Sequence, residues 1–469
     1  MKIKSFLSIQ QNYISENVIN EALQENSANK MLQIILDHLK KADHKLYLFI
    51  DEYDNFANTI ISEFGNEEYQ KLTHGAGYFK EFFKMLKSCT SGTESGLERL
   101  FIVGVSPVTM DDVSSGFNIG NNITLDPSFN SILGFNESEV TAMLDYYLSD
   151  NEIKADRDHT LQIMKLWYDN YRFSKEATET VYNTDAVLYL IKKMLSYTKI
   201  PDELIDNNLR MDYSKLKYLI VQDTRLNGNF DALSEIIETG GTTAKINISF
   251  PLAETIKRDN YISLLYFLGL ITFSGEQKQG VDFLKIPNLT IKRIVFEYLS
   301  NAYRNFHEID YYVHKLNQHL GVMAYEGNFK PALEFIANEL NKNTSVRDYI
   351  EGEKNIKFFY LILIFLNDYY TPLSELEVNK GYADLIAMPN FHYYPDMKYA
   401  YIIEFKYISG KTKKKDLPGA IQAKLTEAKE QLVQYSKDAK LKNMLRIETK
   451  TIAIIFHKWK LVYCEEIAL

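Results

Sequence analysis

Cysteine is scarce in this sequence, which contains only Cys89 and Cys464 among its 469 residues. Two distant cysteines exclude a disulfide framework, and the N-terminal segment has no apolar stretch of the kind that a signal peptide requires. Long apolar runs are also missing, because the best candidate, residues 358–366, is far shorter than the roughly 20 residues of a spanning helix. These absences predict a cytoplasmic protein with no membrane role.

Low-complexity segments and an excess of positive charge are absent as well. With 46% hydrophobic and 25% charged residues, the chain is long enough for two or three folded cores. A net charge of −9 argues against a protein that coats nucleic acid over its whole surface. Residues 398–460, however, contain 15 Lys and Arg against 6 Asp and Glu, so we predict that any phosphate is bound there.

The order of patterns along the chain predicts a multidomain α/β protein. Two apolar runs, residues 45–50 and 99–105, flank a helical segment, which is typical of buried parallel strands in an α/β domain over residues 1–150. Residues 151–310 are mostly helical, and their last part predicts a helix and a hairpin like those of a winged helix. Such a region binds DNA or a protein partner. Helices, two strands, a long helix and a last strand predict a third, α/β domain over residues 311–469.

Three charged residues occur in apolar strand patterns of the third domain. Glu404 and Lys406 are two positions apart in "YAYIIEFKYI", so both side chains point to the same face, and Asp384 belongs to the preceding strand. Buried charges need compensation, and a divalent cation between Asp384 and Glu404 would provide it. The alternative is an ordinary ion pair of Glu404 with Lys406 on an edge strand.

The surrounding motifs resemble those of the PD-(D/E)XK nuclease superfamily, in the branch that follows an AAA-ATPase-like domain in many bacterial proteins. The resemblance is carried by Glu375-x-Glu377, Gly381-x-x-Asp384, "IIEFK" and Gln431-x-x-x-Tyr435. It implies a restriction-endonuclease-like domain that cleaves nucleic acid, with DNA as the expected partner. Mg²⁺ or Mn²⁺ is the implied cofactor.

The same resemblance implies a role for particular residues. Asp384, Glu404 and Lys406 match the metal-dependent catalytic centre, and Gln431 and Tyr435 match a helix motif that faces it. Glu353 and Glu377 are further candidates for the metal cluster, although an acid at a helix start also interacts favourably with the helix dipole. The basic turn at residues 410–415 is either a solvated loop or a contact for the phosphate backbone.

The first domain contains an apolar strand that ends in Asp51 and Glu52, like the Walker B strand of an ATPase. "LFIDEYDNF", "WYDNYRFS" and "VYNTDAVLYLI" resemble the AAA-ATPase-like domain of the same bacterial proteins. The sequence contains no G-x-x-x-x-G-K-[ST] phosphate loop, so we expect a truncated P-loop-like sheet with little or no ATP hydrolysis and no ATP cofactor. A shortened gene product, a wrongly chosen start codon and a domain retained as scaffold all agree with this pattern.

Two functions follow from these patterns. The first is metal-dependent hydrolysis of nucleic acid by the C-terminal domain. The alternative is a non-catalytic scaffold that binds nucleic acid or protein, with the middle region as the candidate contact for a protein partner. The missing phosphate loop favours the scaffold, whereas the complete set of Asp384, Glu404 and Lys406 favours the nuclease.

Overall fold

The computed structural model describes most of the chain in separate ranges. These are residues 13–55, 69, 71, 77–90, 96–105, 120–150, 153–207, 209, 229–251, 254–255, 257–297, 313–342, 353–365, 367–374, 376–378, 381–391, 393–438, 441, 445 and 447–468. Within these ranges, no helix is both long and apolar enough to cross a membrane. Both cysteines are free thiols.

The chain divides into two compact units. One comprises Met1–Asn130, Tyr218–Asn229 and Ala244–Gly269, and the other comprises Ser131–Lys217, Phe230–Thr243 and Leu270–Leu469. The three domains expected from the sequence, with boundaries near residues 150 and 310, stay a prediction.

Both units contain helices and strands, which confirms the mixed α/β class. The helices are α1 (Glu16–Gln24), α2 (Ala28–Lys41), α3 (Tyr78–Thr90), α4 (Glu137–Asp150), α5 (Arg157–Tyr168), α6 (Thr184–Tyr197), α7 (Asn229–Thr239), α8 (Arg258–Phe267), α9 (Val313–Glu326), α10 (Lys330–Lys342), α11 (Glu353–Phe365) and α12 (Leu417–Ser436). The strands are β1 (Leu46–Ile50), β2 (Leu97–Ile102), β3 (Gly241–Thr243), β4 (Thr272–Lys278), β5 (Val281–Lys285), β6 (Tyr370–Leu373), β7 (Leu376–Val378), β8 (Gly381–Ala383), β9 (Leu385–Pro389), β10 (Tyr399–Ile408), β11 (Glu448–His457) and β12 (Lys460–Glu466).

In the first unit, β1 and β2 form a parallel pair, as the sequence predicts. One face of this pair packs against α2 and α3 through Leu36, Phe83 and Leu86. On the other face Tyr47 and Phe49 are 60% and 73% exposed. The expectation that both faces are buried is therefore wrong for the described residues, because these two helices cover only one face.

The middle part of the second unit is held by an apolar core between α4, α5 and α6. Asn183 precedes α6 and accepts a hydrogen bond from the backbone N–H of Ala186, which satisfies one free donor at the helix start. Strands β4 and β5 form a hairpin through Gln279 and Gly280, which both have positive φ, as a tight two-residue turn requires. The hairpin part of the winged-helix prediction is present; the whole motif stays a prediction, since α8 lies in the other unit.

The C-terminal part of the second unit is built on a five-stranded sheet with the order β12-β11-β10-β9-β6. Strand β10 is parallel to β11 over its full length and antiparallel to β9. Helix α12 packs on one face through Leu425, Ala428 and Leu432, while Tyr360 of α11 contacts Phe405 on the other face. Because helices cover both faces of the sheet, the side chains of β10 are largely apolar on both of its faces.

Candidate active site

The candidate site lies where β9 and β10 separate. Their pairing ends at Leu385 and Ile403, although β10 continues to Ile408. Beyond that point, the backbone N–H of Phe405 donates to Oδ2 of Asp384 at 2.9 Å, and the N–H of Tyr407 donates to Oε2 of a second carboxylate, Glu353, at 3.1 Å. Two carboxylates therefore replace the missing strand as hydrogen-bond acceptors, which fixes both of them beside β10.

Asp384 lies between β8 and β9, rather than within one continuous strand as the sequence suggested. The residues before it, in β8, pair with β7, whereas those after it, in β9, pair with β10. This break in the strand allows the Asp384 side chain to reach the backbone of β10.

Glu404 and Lys406 point to the same face of β10, as the strand periodicity predicts. Nζ of Lys406 donates to Oε1 of Glu404 at 2.6 Å, and the two side chains are only 8% and 1% exposed. The ion pair of the alternative interpretation is thus present. Its placement on an edge strand is wrong, because β10 lies between β9 and β11.

The second oxygen of Glu404 distinguishes this pair from a simple ion pair. Oε2 is buried and has no hydrogen-bond partner. Burial, and after it the charge of Asp384, raise the pKa of Glu404 to about 8 although Lys406 opposes both effects. An ionised Glu404 is repelled by the neighbouring carboxylate of Asp384. A buried acceptor in this state needs a proton or a cation.

Lys357 is a member of the site that the sequence motifs did not include. Its Nζ donates to Oδ1 of Asp384 at 3.2 Å, and the residue is buried. Lys357 and Glu353 are one turn apart on α11, so both project from the same side of that helix. The opposite charges of Glu353 and Lys357 at this spacing, just before the apolar run at residues 358–365, were the available signal.

Glu353 belongs to the same group of charges. Desolvation raises the pKa of its carboxyl, Lys406 lowers it, and Asp384 raises it again. Glu353 therefore lies close enough to Asp384 and Lys406 to interact with their charges, and its role as a metal ligand stays a prediction.

The structure shows fewer contacts with the site for the remaining predicted residues. On α12, Nε2 of Gln431 lies 3.5 Å from the hydroxyl of Tyr435, whose ring is buried in the apolar cluster beneath β10. Glu377 is on β7, paired with Tyr382, and its side chain is outside the described part of the structure. The roles of these residues in the site stay predictions.

The donor set fits a small divalent cation. The part of the chain that the structure describes contains no group of three or more His, Cys, Asp or Glu arranged to hold a metal ion. Mg²⁺, however, accepts one or two carboxylates and keeps several waters. Asp384 and Glu404 form such a carboxylate pair, and the buried Oε2 of Glu404 has an unused acceptor position.

In the first unit, Asp51 and Glu52 follow β1 and are exposed. Their nearest polar contacts are local, since the N–H of Glu52 donates to Oδ1 of Asp51. The buried acid at this sheet edge is Asp54, which accepts a hydrogen bond from the N–H of Val105 at 3.2 Å. A Cβ at Gly104 would overlap the ring of Tyr53, so a larger residue here would force that side chain to move. Of these acids, Asp54 is the one that holds the two strands together at this edge.

The fold and the site thus define a C-terminal α/β domain of the nuclease type. Residues 351–466 match the family model of the PD-(D/E)XK nuclease superfamily, and residues 2–114 match that of a predicted AAA-ATPase. Searches of curated proteins and of solved structures found no match. These two matches confirm the resemblance seen in the sequence.

The raised pKa of Glu404 predicts how stability depends on pH without metal. Between the ordinary value of 4.5 and about 8, the folded protein keeps a proton on Glu404 that the unfolded chain has lost. The free energy of unfolding therefore falls as pH rises through this window, by up to about 1.4 kcal/mol per pH unit. Urea unfolding in EDTA at about pH 5.5 and about pH 7.5 measures this fall, and Glu404→Gln is expected to lose less stability than the parent. An equal loss in both proteins would contradict the assignment.

Proposed function

We propose that the C-terminal domain hydrolyses phosphodiester bonds of nucleic acid with the help of a divalent cation. The observation that carries this proposal is the buried pair of Asp384 and Glu404, with one oxygen of Glu404 unpartnered and Lys406 beside it. A structural ion pair alone does not explain a second carboxylate placed against the first, because repulsion between them destabilises the fold. The family match over residues 351–466 supports the same function.

Asp384 and Glu404 would hold Mg²⁺ or Mn²⁺, with Glu353 and Glu377 as further candidate ligands. When bound, such an ion acts as a Lewis acid on a phosphoryl oxygen and lowers the pKa of a bound water. The N–H groups of Phe405 and Tyr407 fix Asp384 and Glu353 before any ion arrives, so the donor oxygens do not have to be ordered on binding.

Lys406 is proposed to stabilise negative charge on the phosphate. Burial lowers the pKa of its ammonium, but Glu404 and then Asp384 and Glu353 outweigh burial, so the pKa is raised above its usual value. Lys406 is therefore charged at neutral pH and is unsuited to be a general base. A fixed ammonium in a site shielded from water is suited to electrostatic stabilisation.

The basic turn that follows β10 is proposed to hold the substrate backbone. Lys411 and the three lysines at positions 413–415 are exposed, and the turn begins immediately after the strand that carries Glu404 and Lys406. Exposed lysines attract phosphates without sequence preference. DNA is the proposed substrate, and the cleavage assay described below also includes RNA.

The N-terminal unit is proposed to act without ATP. The sequence contains no phosphate-loop motif, and both Asp51 and Glu52 are exposed. A partner-binding role for this unit, the second candidate function, is favoured by the exposed Tyr47 and Phe49 on β1.

Cleavage assays test the proposal directly. The purified full-length chain is incubated with supercoiled plasmid, labelled single-stranded DNA and labelled RNA, each with Mg²⁺, Mn²⁺ or EDTA. We expect cleavage of at least one substrate with Mg²⁺ or Mn²⁺ and none with EDTA. A folded chain that is inert on all three substrates with both ions would favour the scaffold.

A further inference from the structure

Asp384 is held from two sides. Its Oδ2 accepts the N–H of Phe405 at 2.9 Å, and its Oδ1 accepts Nζ of Lys357 at 3.2 Å. The two side chains of the ion pair are 6% and 12% exposed, so solvent screens them poorly. Because the backbone of β10 already fixes the carboxylate, the charge of Lys357 is its distinctive contribution.

Among the described side chains, the charges around this position nearly balance. Asp384, Glu404 and Glu353 supply three negative charges when ionised, and Lys357 and Lys406 supply two positive charges. A cation bound by Asp384 would lie within a few ångströms of the ammonium of Lys357, where like charges repel strongly. Removing Lys357 would leave the same oxygens with a larger excess of negative charge.

We propose that Lys357 is a built-in counter-cation, which stabilises the metal-free carboxylates and weakens the affinity of the site for a divalent cation. The inference rests on the proposed function, because it takes Asp384 as a ligand of that cation. It assigns to Lys357 a positioning and electrostatic role that is distinct from the role of Lys406.

This arrangement links the binding of metal to the binding of substrate. A phosphate that enters the site brings negative charge, which offsets the repulsion between Lys357 and the metal ion. Metal affinity is therefore expected to rise in the presence of substrate in the parent, and to rise less when Lys357 has lost its charge. The site would then be filled chiefly when nucleic acid is present.

Binding of Mn²⁺ alone to the full-length protein provides the test, with titration calorimetry as the measurement. Lys357→Gln keeps a hydrogen-bond donor near Asp384 but removes the charge, whereas Lys357→Arg keeps the charge. We expect the Kd for Mn²⁺ to fall at least about tenfold in Lys357→Gln and to stay within about twofold of the parent in Lys357→Arg. Lys429→Gln, which removes an exposed charge from α12, is the matched control and should bind like the parent.

Each outcome decides a separate point. If the parent binds Mn²⁺ and Lys357→Gln binds it equally or more weakly, the counter-cation inference is overturned while the proposed metal site stands. If the folded parent and all variants fail to bind Mn²⁺, the proposed function fails, and the inference falls with it.

Thermal unfolding provides a second readout that does not depend on activity. Without metal, Lys357→Gln is expected to unfold at a lower temperature than the parent, and saturating Mn²⁺ should reduce this difference. A variant that folds only with Mn²⁺ supports the inference, because the ion then replaces the missing charge. A variant that is unfolded with and without Mn²⁺ overturns it, because the N–H of Phe405 should hold Asp384 once a cation is present.

Discussion

Replacing Glu404 by glutamine is expected to reduce metal-dependent cleavage at least about 10³-fold, because the substitution removes one of two carboxylates from a buried, preorganised site. Oε1 of the glutamine still accepts a hydrogen bond from Lys406, so the local structure is preserved. The same substitution removes the cost of keeping a proton on Glu404 near neutral pH, so it should raise the free energy of unfolding there. Initial rates on the cleaved substrate and urea unfolding in EDTA measure the two effects.

A lower cleavage rate together with a higher free energy of unfolding is characteristic of a functional site that reduces the stability of the fold. Glu427→Gln is a matched control, since Glu427 is an exposed carboxylate of the same domain on α12. It should leave both cleavage and stability close to those of the parent. A Glu404→Gln protein that keeps more than about a tenth of the parent rate would show that Glu404 is not part of the catalytic centre.

The pairing of Glu404 with Lys406 could be predicted from the sequence, because it depends only on strand periodicity. The involvement of Asp384 could also be predicted, because neighbouring antiparallel strands bring nearby sequence together. The bond from Lys357 to Asp384 spans 27 positions and depends on where β9 leaves β10. No local sequence pattern determines where β9 separates from β10, so the contact of Lys357 with Asp384 could not be predicted. The spacing of Lys357 from Glu353 indicated only that both residues lie on the same side of α11.

In the first unit, the burial of each face of β1 could not be predicted from the sequence. An apolar run predicts a strand, and β1 is a strand, but burial of each face depends on which helices pack against it. The described helices α2 and α3 cover only the face of Leu48, which leaves Tyr47 and Phe49 exposed. In the same way, the spacing of acids after β1 did not reveal that Asp54, rather than Asp51, bonds across to the end of β2.

Replacing Asp384 by alanine is expected to lower the free energy of unfolding by about 3–5 kcal/mol in the absence of metal. Lys357 loses the carboxylate that offsets its charge, and the N–H of Phe405 loses its acceptor. Both losses occur in a buried environment, where an uncompensated polar group is costly. Urea unfolding in EDTA is the measurement. Asp416→Ala, which changes an exposed aspartate before α12, should shift stability by less than about 0.5 kcal/mol.

A double variant separates the two contributions. Asp384→Ala combined with Lys357→Met removes both charges, so it should recover about 1–3 kcal/mol relative to Asp384→Ala alone. Full recovery is not expected, since the N–H of Phe405 still lacks an acceptor. Simple additivity of the two single substitutions would show that the ion pair contributes no coupling energy. Loss of cleavage in Asp384→Ala therefore combines lost chemistry with lost stability, whereas loss in Glu404→Gln, where stability rises, reports on chemistry alone.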